Sequence, residues 1–329
     1  MELLTSTDWT NYELIDTGDR EKLERFGDYI LIRPEPQAVW KKALSAKEWD
    51  NLANARFARG KSSSHQSKVS GSQFPVTSHQ SLVTSHDSRF TIHDSRKSGS
   101  QEIRKEERGE WIKKPGMPDQ WMIGYTYKEM SLKFRLGLTA FGHIGVFPEQ
   151  AENWKFIYDI AHPASRILNL FAYTGGSSLA ARAAGADVVH VDSVKPVITW
   201  AREDMEASGL EGIRWVVEDA LKFVQREVKR GNRYDGIILD PPAYGRGPDG
   251  EKWVLEESVD EILALCAQLL NPEKGFLVLS FYSMGFSSLI GENLVNTHFG
   301  DSRQIQSGEL YFSDRAERKL PLGTFSRFC

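Results

Sequence analysis

This sequence predicts an α/β fold: a mostly parallel central sheet with one antiparallel terminal strand, preceded by a small β-rich piece. Three observations carry that prediction. Runs of strand length (Ile167–Phe171, Asp187–Val191, Ile213–Val217, Tyr234–Leu239 and Gly275–Phe281) alternate with helical patterns from about residue 155 onward. Their nearly continuous apolar character suits strands buried on both faces. Acidic residues and glycines stand just after these runs, at the carboxyl ends where open α/β sheets bind their ligands.

The elements follow in order. In residues 1–59, Tyr29–Arg33 reads as a strand, Pro34 and Pro36 make a turn, and Ala38–Ala58 has a helical pattern. This piece is too short to bury a core alone. It is expected to pair with the alternating strands of Trp121–Arg135, so that residues 1–59 and 109–153 form one accessory domain. Residues 60–108 break the pattern, with thirteen serines, four of the eight histidines and none of the nine tryptophans. Imperfect repeats such as Val76-Thr-Ser-His-Gln and Val83-Thr-Ser-His-Asp cannot bury enough apolar surface to offset their ordering entropy. The stretch reads as a disordered insertion, not as a histidine metal site. Residues 154–329 form the second domain. Its helices are expected at Ser177–Ala184, Lys195–Ser208, Ala220–Lys229 and Glu257–Leu270, with Gly185 and Gly209 as stop signals. Arg303–Phe312 and Thr324–Phe328 would close the sheet as a terminal pair.

Composition narrows the function. The chain has 329 residues, 40% of them hydrophobic, which supports one large domain and a small one. Its net charge of −4 excludes a polycation, so any nucleic-acid contact must use a local basic patch. The two cysteines, Cys266 and Cys329, make no disulfide framework and have no metal-ligand spacing. No signal peptide and no membrane-length apolar run is apparent, and the expected compartment is the cytoplasm.

The candidate site lies at the strand ends. Thr174-Gly175-Gly176 sits between the first strand and an Ala-rich helix, a frame that cradles a nucleotide-like ligand. The spacing is not G-x-G-x-x-G, so the dinucleotide fingerprint fails. Asp192 ends the second strand, where a carboxylate accepts from ribose hydroxyls, and Asp219 follows the third, near an adenine edge. For each of them the alternative is helix N-capping. Asp240-Pro241-Pro242-Ala243 follows the fourth strand as a rigid turn. It offers a carboxylate and two free carbonyls to a planar donor group, or else is a plain surface turn.

In this order the motifs resemble the class I S-adenosylmethionine-dependent methyltransferases. More narrowly they resemble the bacterial 23S ribosomal RNA methyltransferase-like family, with its N-x-F-[AS]-Y-T-G-G and D-P-P motifs. The matching residues are Asn169, Phe171 to Gly176 and Asp240 to Pro242; Phe141-Gly-His-Ile-Gly-Val-Phe-Pro-Glu-Gln150 is similar to that family's G-H-x-x-G-x-x-x-x-Q segment. The resemblance spans roughly residues 120–329 and, more loosely, 9–55. It implies a Rossmann-like methyltransferase sheet and S-adenosylmethionine as cofactor. Asn169, Ala172, Thr174, Gly175 and Gly176 would lie along the methionine part, Gln150 beside it, Asp192 at the ribose and Asp219 at the adenine. Asp240 and the carbonyl of Pro241 would face the target, and Tyr244 could stack on a base or simply pack in its loop.

Two departures matter. Some relatives carry a cysteine after the fifth strand, whereas this chain has Tyr282 there, which disfavours covalent cytosine-C5 methylation and favours a nitrogen nucleophile. The RNA-binding PUA-type N-terminal domain of several relatives is also missing. The leading reading is a methyltransferase for a nucleobase of ribosomal or other structured RNA, with no metal. The alternatives are a methyltransferase for a small molecule or protein, a nicotinamide oxidoreductase, or a cofactor-binding module without turnover.

Overall fold

The computed structural model describes residues 1–59, 108–282, 285–300 and 303–329. The expected insertion at 60–108 falls, but for Arg108, outside the described residues. In chain order, β1 (Glu2–Leu4) is followed by β2 (Tyr12–Gly18), β3 (Glu21–Phe26), β4 (Tyr29–Pro34), α1 (Ala46–Leu52) and β5 (Ala55–Arg59). Then come β6 (Gly109–Lys113), β7 (Gln120–Tyr127) and β8 (Met130–Gly137), and a 3-10 turn at Pro148–Gln150 that leads into α2 (Ala151–Ile160). The chain next alternates through β9 (Arg166–Leu170), α3 (Gly176–Ala183), β10 (Asp187–Asp192), α4 (Lys195–Ala207), β11 (Ile213–Val217), α5 (Ala220–Lys229) and β12 (Gly236–Leu239). A short hairpin, β13 (Tyr244–Arg246) and β14 (Lys252–Val254), precedes α6 (Leu255–Leu269), β15 (Phe276–Phe281), α7 (Ser288–Phe299), β16 (Gln306–Ser313) and β17 (Lys319–Phe328).

The central sheet has eight strands in the order β1-β16-β17-β15-β12-β9-β10-β11. Neighbours from β15 to β11 pair in parallel, with β9 in the middle. β17 runs antiparallel between β15 and β16, and β1 lies parallel to β16 at the edge. Alternate residues of the apolar strands feed two cores. Ile167, Val188, Ile238 and Val278 pack with α2, α3 and the β7–β8 hairpin. Leu168, Leu170, Val189, Ile237 and Leu279 pack under α5 and α6. Each such buried aliphatic side chain stabilises the fold by roughly 1.5–3 kcal/mol, and the period of two explains why the runs look uniformly apolar.

The smaller sheet has the order β2-β3-β4-β5-β6, and β7–β8 form a separate hairpin. The helix expected over Ala38–Ala58 is shorter. A capping box between Ser45 and Glu48 starts α1, and Ala53 ends it. Ala55 and Phe57 are buried on one face of a strand that joins β4 and β6, so the period there is two, not 3.6. The smaller sheet is fastened to the β16–β17 turn. Thr17 donates to Asp314 at 2.6 Å, Arg318 donates to the Thr17 carbonyl at 2.7 Å and to Asp16, and Arg315 pairs with Glu13 at 2.7 Å. Among the described residues, no helix is long and apolar enough to cross a membrane.

Candidate functional site

The loop after β9 is bent to an unusual degree. Phe171, Tyr173 and Gly175 have φ of 55°, 48° and 87°. For the two aromatic residues this left-handed backbone costs roughly 1–2 kcal/mol each, so neighbouring groups must hold it. Ala172 N–H donates to the Val191 carbonyl at 3.1 Å, Tyr173 N–H to Asp192 Oδ2 at 2.9 Å, and Thr174 Oγ1 to the Gly145 carbonyl at 2.6 Å. The last bond ties the loop to the segment before the 3-10 turn. A Cβ on Gly176 would lie 2.5 Å from the Trp154 ring, so only glycine allows this close approach. No side chain caps the N-terminus of α3, which leaves its first N–H groups facing the loop. Beneath the loop Asn169 Nδ2 donates to Ser178 Oγ at 2.9 Å, and Ser178 meets His190 Nδ1 at 3.0 Å. Burial drives the His190 pKa down to about 3, so this chain of polar groups is neutral.

Seven of the expected site residues surround one small pocket of about 50 Å³: Gln150, Asn169, Ala172, Thr174, Gly175, Gly176 and Asp240. Asn153 Nδ2 holds the Gln150 side chain at 2.9 Å and Ser280 Oγ at 3.1 Å. Burial pushes the Asp240 carboxyl up to about 7, and no group among the described residues hydrogen-bonds to it.

Asp192 and Asp219 stand at the ends of β10 and β11, outside that pocket. Asp192 accepts from Tyr173 N–H and, through Oδ1, from Val194 N–H at 2.9 Å, so it anchors the bent loop. Burial raises its pKa while these bonds oppose the rise. Asp219 caps α5, its Oδ1 accepting from Lys222 N–H at 3.0 Å. In the turn after β12, the Pro242 carbonyl is not free as expected. The Trp253 indole donates to it at 2.7 Å, because the β13–β14 hairpin folds back over the prolines. The Pro241 carbonyl has no protein donor among the described residues.

A larger cleft of about 870 Å³ adjoins the small pocket, and Phe147 and Tyr173 line both. Tyr244, 37% exposed, lines the larger cleft together with Tyr282, Phe57 and Phe141. Its inner end is charged: Lys22, Arg33, Glu35 and Glu149 all line it. Sequence reasoning missed these four. Nothing local in Glu21-Lys-Leu-Glu-Arg-Phe marks Lys22 and Glu24 as buried, because it is the packing of another segment over their face that buries them. Phe147 and Glu149 could have been found, because they lie inside the segment that ends in Gln150.

Known proteins bear on this site in the following way. The sequence model of the S-adenosylmethionine-dependent methyltransferase family matches residues 95–298. The chain is 30% identical over 166 residues to ribosomal RNA large subunit methyltransferase K/L of Shewanella frigidimarina, covering 49% of this chain and 23% of that protein. It is 28% identical over 190 residues to ribosomal RNA large subunit methyltransferase I of Photobacterium profundum, covering 55% and 46%. The chain thus spans less than half the length of these curated relatives. A crystal structure of a SAM-dependent methyltransferase from Agrobacterium tumefaciens is similar over 100% of this chain and 93% of that one, with a TM-score of 0.78 and 33% identity. The chain SMU.776, solved in complex with SAH, shares the fold at a TM-score of 0.64 and 14% identity. The strand order, the glycine loop and the family match agree: this chain belongs to the S-adenosylmethionine-dependent methyltransferase family.

Proposed function

We propose that this protein transfers a methyl group from S-adenosylmethionine to a nucleobase nitrogen of ribosomal or other structured RNA, by direct non-covalent attack. One observation carries the reading: the half-buried, unpartnered Asp240 carboxyl shares a pocket with the glycine loop and stands beside a cleft walled by aromatic rings. The ribosomal RNA methyltransferases among the relatives support the choice of RNA.

The residues fit the cofactor. The uncapped N-terminus of α3 suits the methionine carboxylate, since its N–H groups and dipole favour an anion. Asn169, Ala172, Thr174, Gly175, Gly176 and Gln150 would hold the methionine part. Asp192 and Asp219 keep unused lone pairs for ribose hydroxyls and the adenine amine. Bound there, the cofactor supplies a methyl group activated by its sulfonium. The protein's tasks are alignment and exclusion of water. Asp240 and the Pro241 carbonyl would accept from the N–H groups of the target and turn its lone pair toward the methyl carbon. Tyr244 would stack on a base taken out of its helix. Residues 154–329 would carry the cofactor, and residues 1–59 with 109–153 would face the acceptor.

The thiols support a non-covalent route. Cys266 is buried on the core face of α6. Cys329 follows Phe328, which pairs with Leu277 near the start of β15, so it lies at the end of the strands opposite Asp240. Neither can add to a base at the turn. The test is nucleoside mass spectrometry of total RNA from cells with and without the gene, then transfer of labelled methyl to the deficient RNA. One modified nucleoside should vanish and be restored in vitro. Unchanged spectra, together with transfer to a protein or small-molecule fraction, would overturn the reading.

A further inference from the structure

The 3-10 turn at Pro148–Gln150 stands between two cavities. Gln150 lines the small pocket with Asp240, while its neighbour Glu149 lines the larger cleft. Glu149 is only 6% exposed, and no other residue among those described donates a hydrogen bond to its carboxyl. Burial pushes that carboxyl up to about 7. Beside it the cleft presents Glu35, which is fully buried and accepts from Tyr282 Oη at 3.2 Å and pairs with Lys22 at 3.2 Å. Lys22 also meets Glu24 at 3.6 Å, and Arg33 meets Glu24 at 2.7 Å. The Tyr282 ring lies 6.4 Å from Phe147, and Phe147 lies 5.6 Å from Tyr173.

Its own backbone N–H and the charges of Lys22 and Arg33 offset only part of the cost of burying this carboxyl, and a ligand with N–H donors would offset more. Here the carboxyl faces a space with aromatic walls, at the border of the pocket that holds Asp240. A planar base with N–H donors and a ring acceptor along one edge meets both demands: its faces pack on the rings and its edge pairs with the floor. We propose that Glu149, with the Tyr282–Glu35–Lys22 chain, is the recognition floor for the acceptor base, so that the smaller sheet chooses which base is methylated. This rests on the proposed function and goes beyond it by assigning specificity. Glu149 and Tyr282 touch the base edge; Glu35 and Lys22 are positioning residues that fix the Tyr282 hydroxyl.

The test uses the full chain, labelled S-adenosylmethionine, and total RNA from cells lacking the gene. Glu149→Gln keeps the shape but replaces an acceptor oxygen by a donor, and Tyr282→Phe removes one hydroxyl. Each should lower kcat/KM for RNA by about ten- to a hundredfold, mainly through KM, because a polar contact made with the base is lost. The calorimetric Kd for S-adenosylmethionine and the melting temperature should stay at wild-type values. Variants equal to wild type on RNA would overturn the floor. So would a parallel loss of S-adenosylmethionine affinity, which would move Glu149 into the cofactor site. A wild type that methylates no RNA overturns the underlying reading, and the floor falls with it.

Discussion

Asp240 is ionised at a cost to the fold, and that cost can be measured. Its carboxyl is moved from an ordinary value of 3.8 to about 7 by burial. The folded protein therefore holds this proton more tightly than the unfolded chain. The sign follows: the contribution of Asp240 to stability is greatest below the ordinary carboxylate value, falls as pH rises toward about 7, and is flat above that. At 1.36 kcal/mol for each pH unit, the full penalty is about 4 kcal/mol. The side chain keeps some access to solvent, and screening reduces the figure to roughly 2 kcal/mol. Asn cannot titrate, so Asp240→Asn should be more stable than wild type by that amount at pH 8, with the gap shrinking toward pH 4. Urea unfolding of both proteins at pH 4.5, 6 and 8 reads the difference directly, since other groups cancel in the comparison. Methyl transfer should be lost in the variant, and the wild-type rate should rise with pH through about 7. A gap that is constant with pH, or a variant less stable at pH 8, would refute the assignment of Asp240 as a desolvated carboxylate.

Three further outcomes are expected. Gly176→Ala should lower the melting temperature by several degrees and weaken S-adenosylmethionine binding: Trp154, wedged among Trp9, Tyr125 and Phe134, cannot yield to the new methyl, and such overpacking costs about 1–3 kcal/mol. Unchanged melting would show that the ring can move. Asp192→Ala removes two acceptors that hold the bent loop. The calorimetric Kd for S-adenosylmethionine should rise about thirtyfold or more, and an unchanged Kd would take Asp192 out of the site. Replacing residues 60–108 by Asn-Gly should leave the melting temperature within a few degrees of wild type, because Arg59 and Gly109 are paired across β5 and β6 and a two-residue turn can join them; a large fall would make that stretch structural.

How much of this was legible in the sequence depended on how local the signal was. The inner parallel strands were readable because each is buried on both faces and so is largely apolar, as in Ile237–Leu239, whereas the edge strand β11 leaves Arg214 and Val217 exposed. The glycine loop and Asp240 were readable because strand ends carry short, rigid sequence patterns. Asp219 stands two residues past the end of β11 and caps α5, the helix-capping alternative that its position also allowed. The charged end of the large cleft was not readable. Lys22 and Glu35 are brought together by the pairing of β3 with β4, but Glu149 comes from a much later segment, and only the packing of the smaller sheet against the turn at Pro148–Gln150 makes it their neighbour. The free Pro242 carbonyl was misjudged for the same reason, since its partner Trp253 arrives from a later hairpin.

The bonds from Thr17, Asp16 and Glu13 to the β16–β17 turn have a consequence for how an acceptor reaches the reaction centre. They rivet one jaw of the cleft to the body of the enzyme, joining residues about three hundred positions apart in the chain. A jaw held this way cannot swing wide to swallow a folded nucleic acid. Under the proposed function the acceptor would do the moving: a base would leave its own stack and enter an opening whose dimensions are set in advance. For the proposed RNA substrate, discrimination would then fall partly on how easily each candidate base can be extruded, so that the RNA's own local weakness would become part of the address that the enzyme reads.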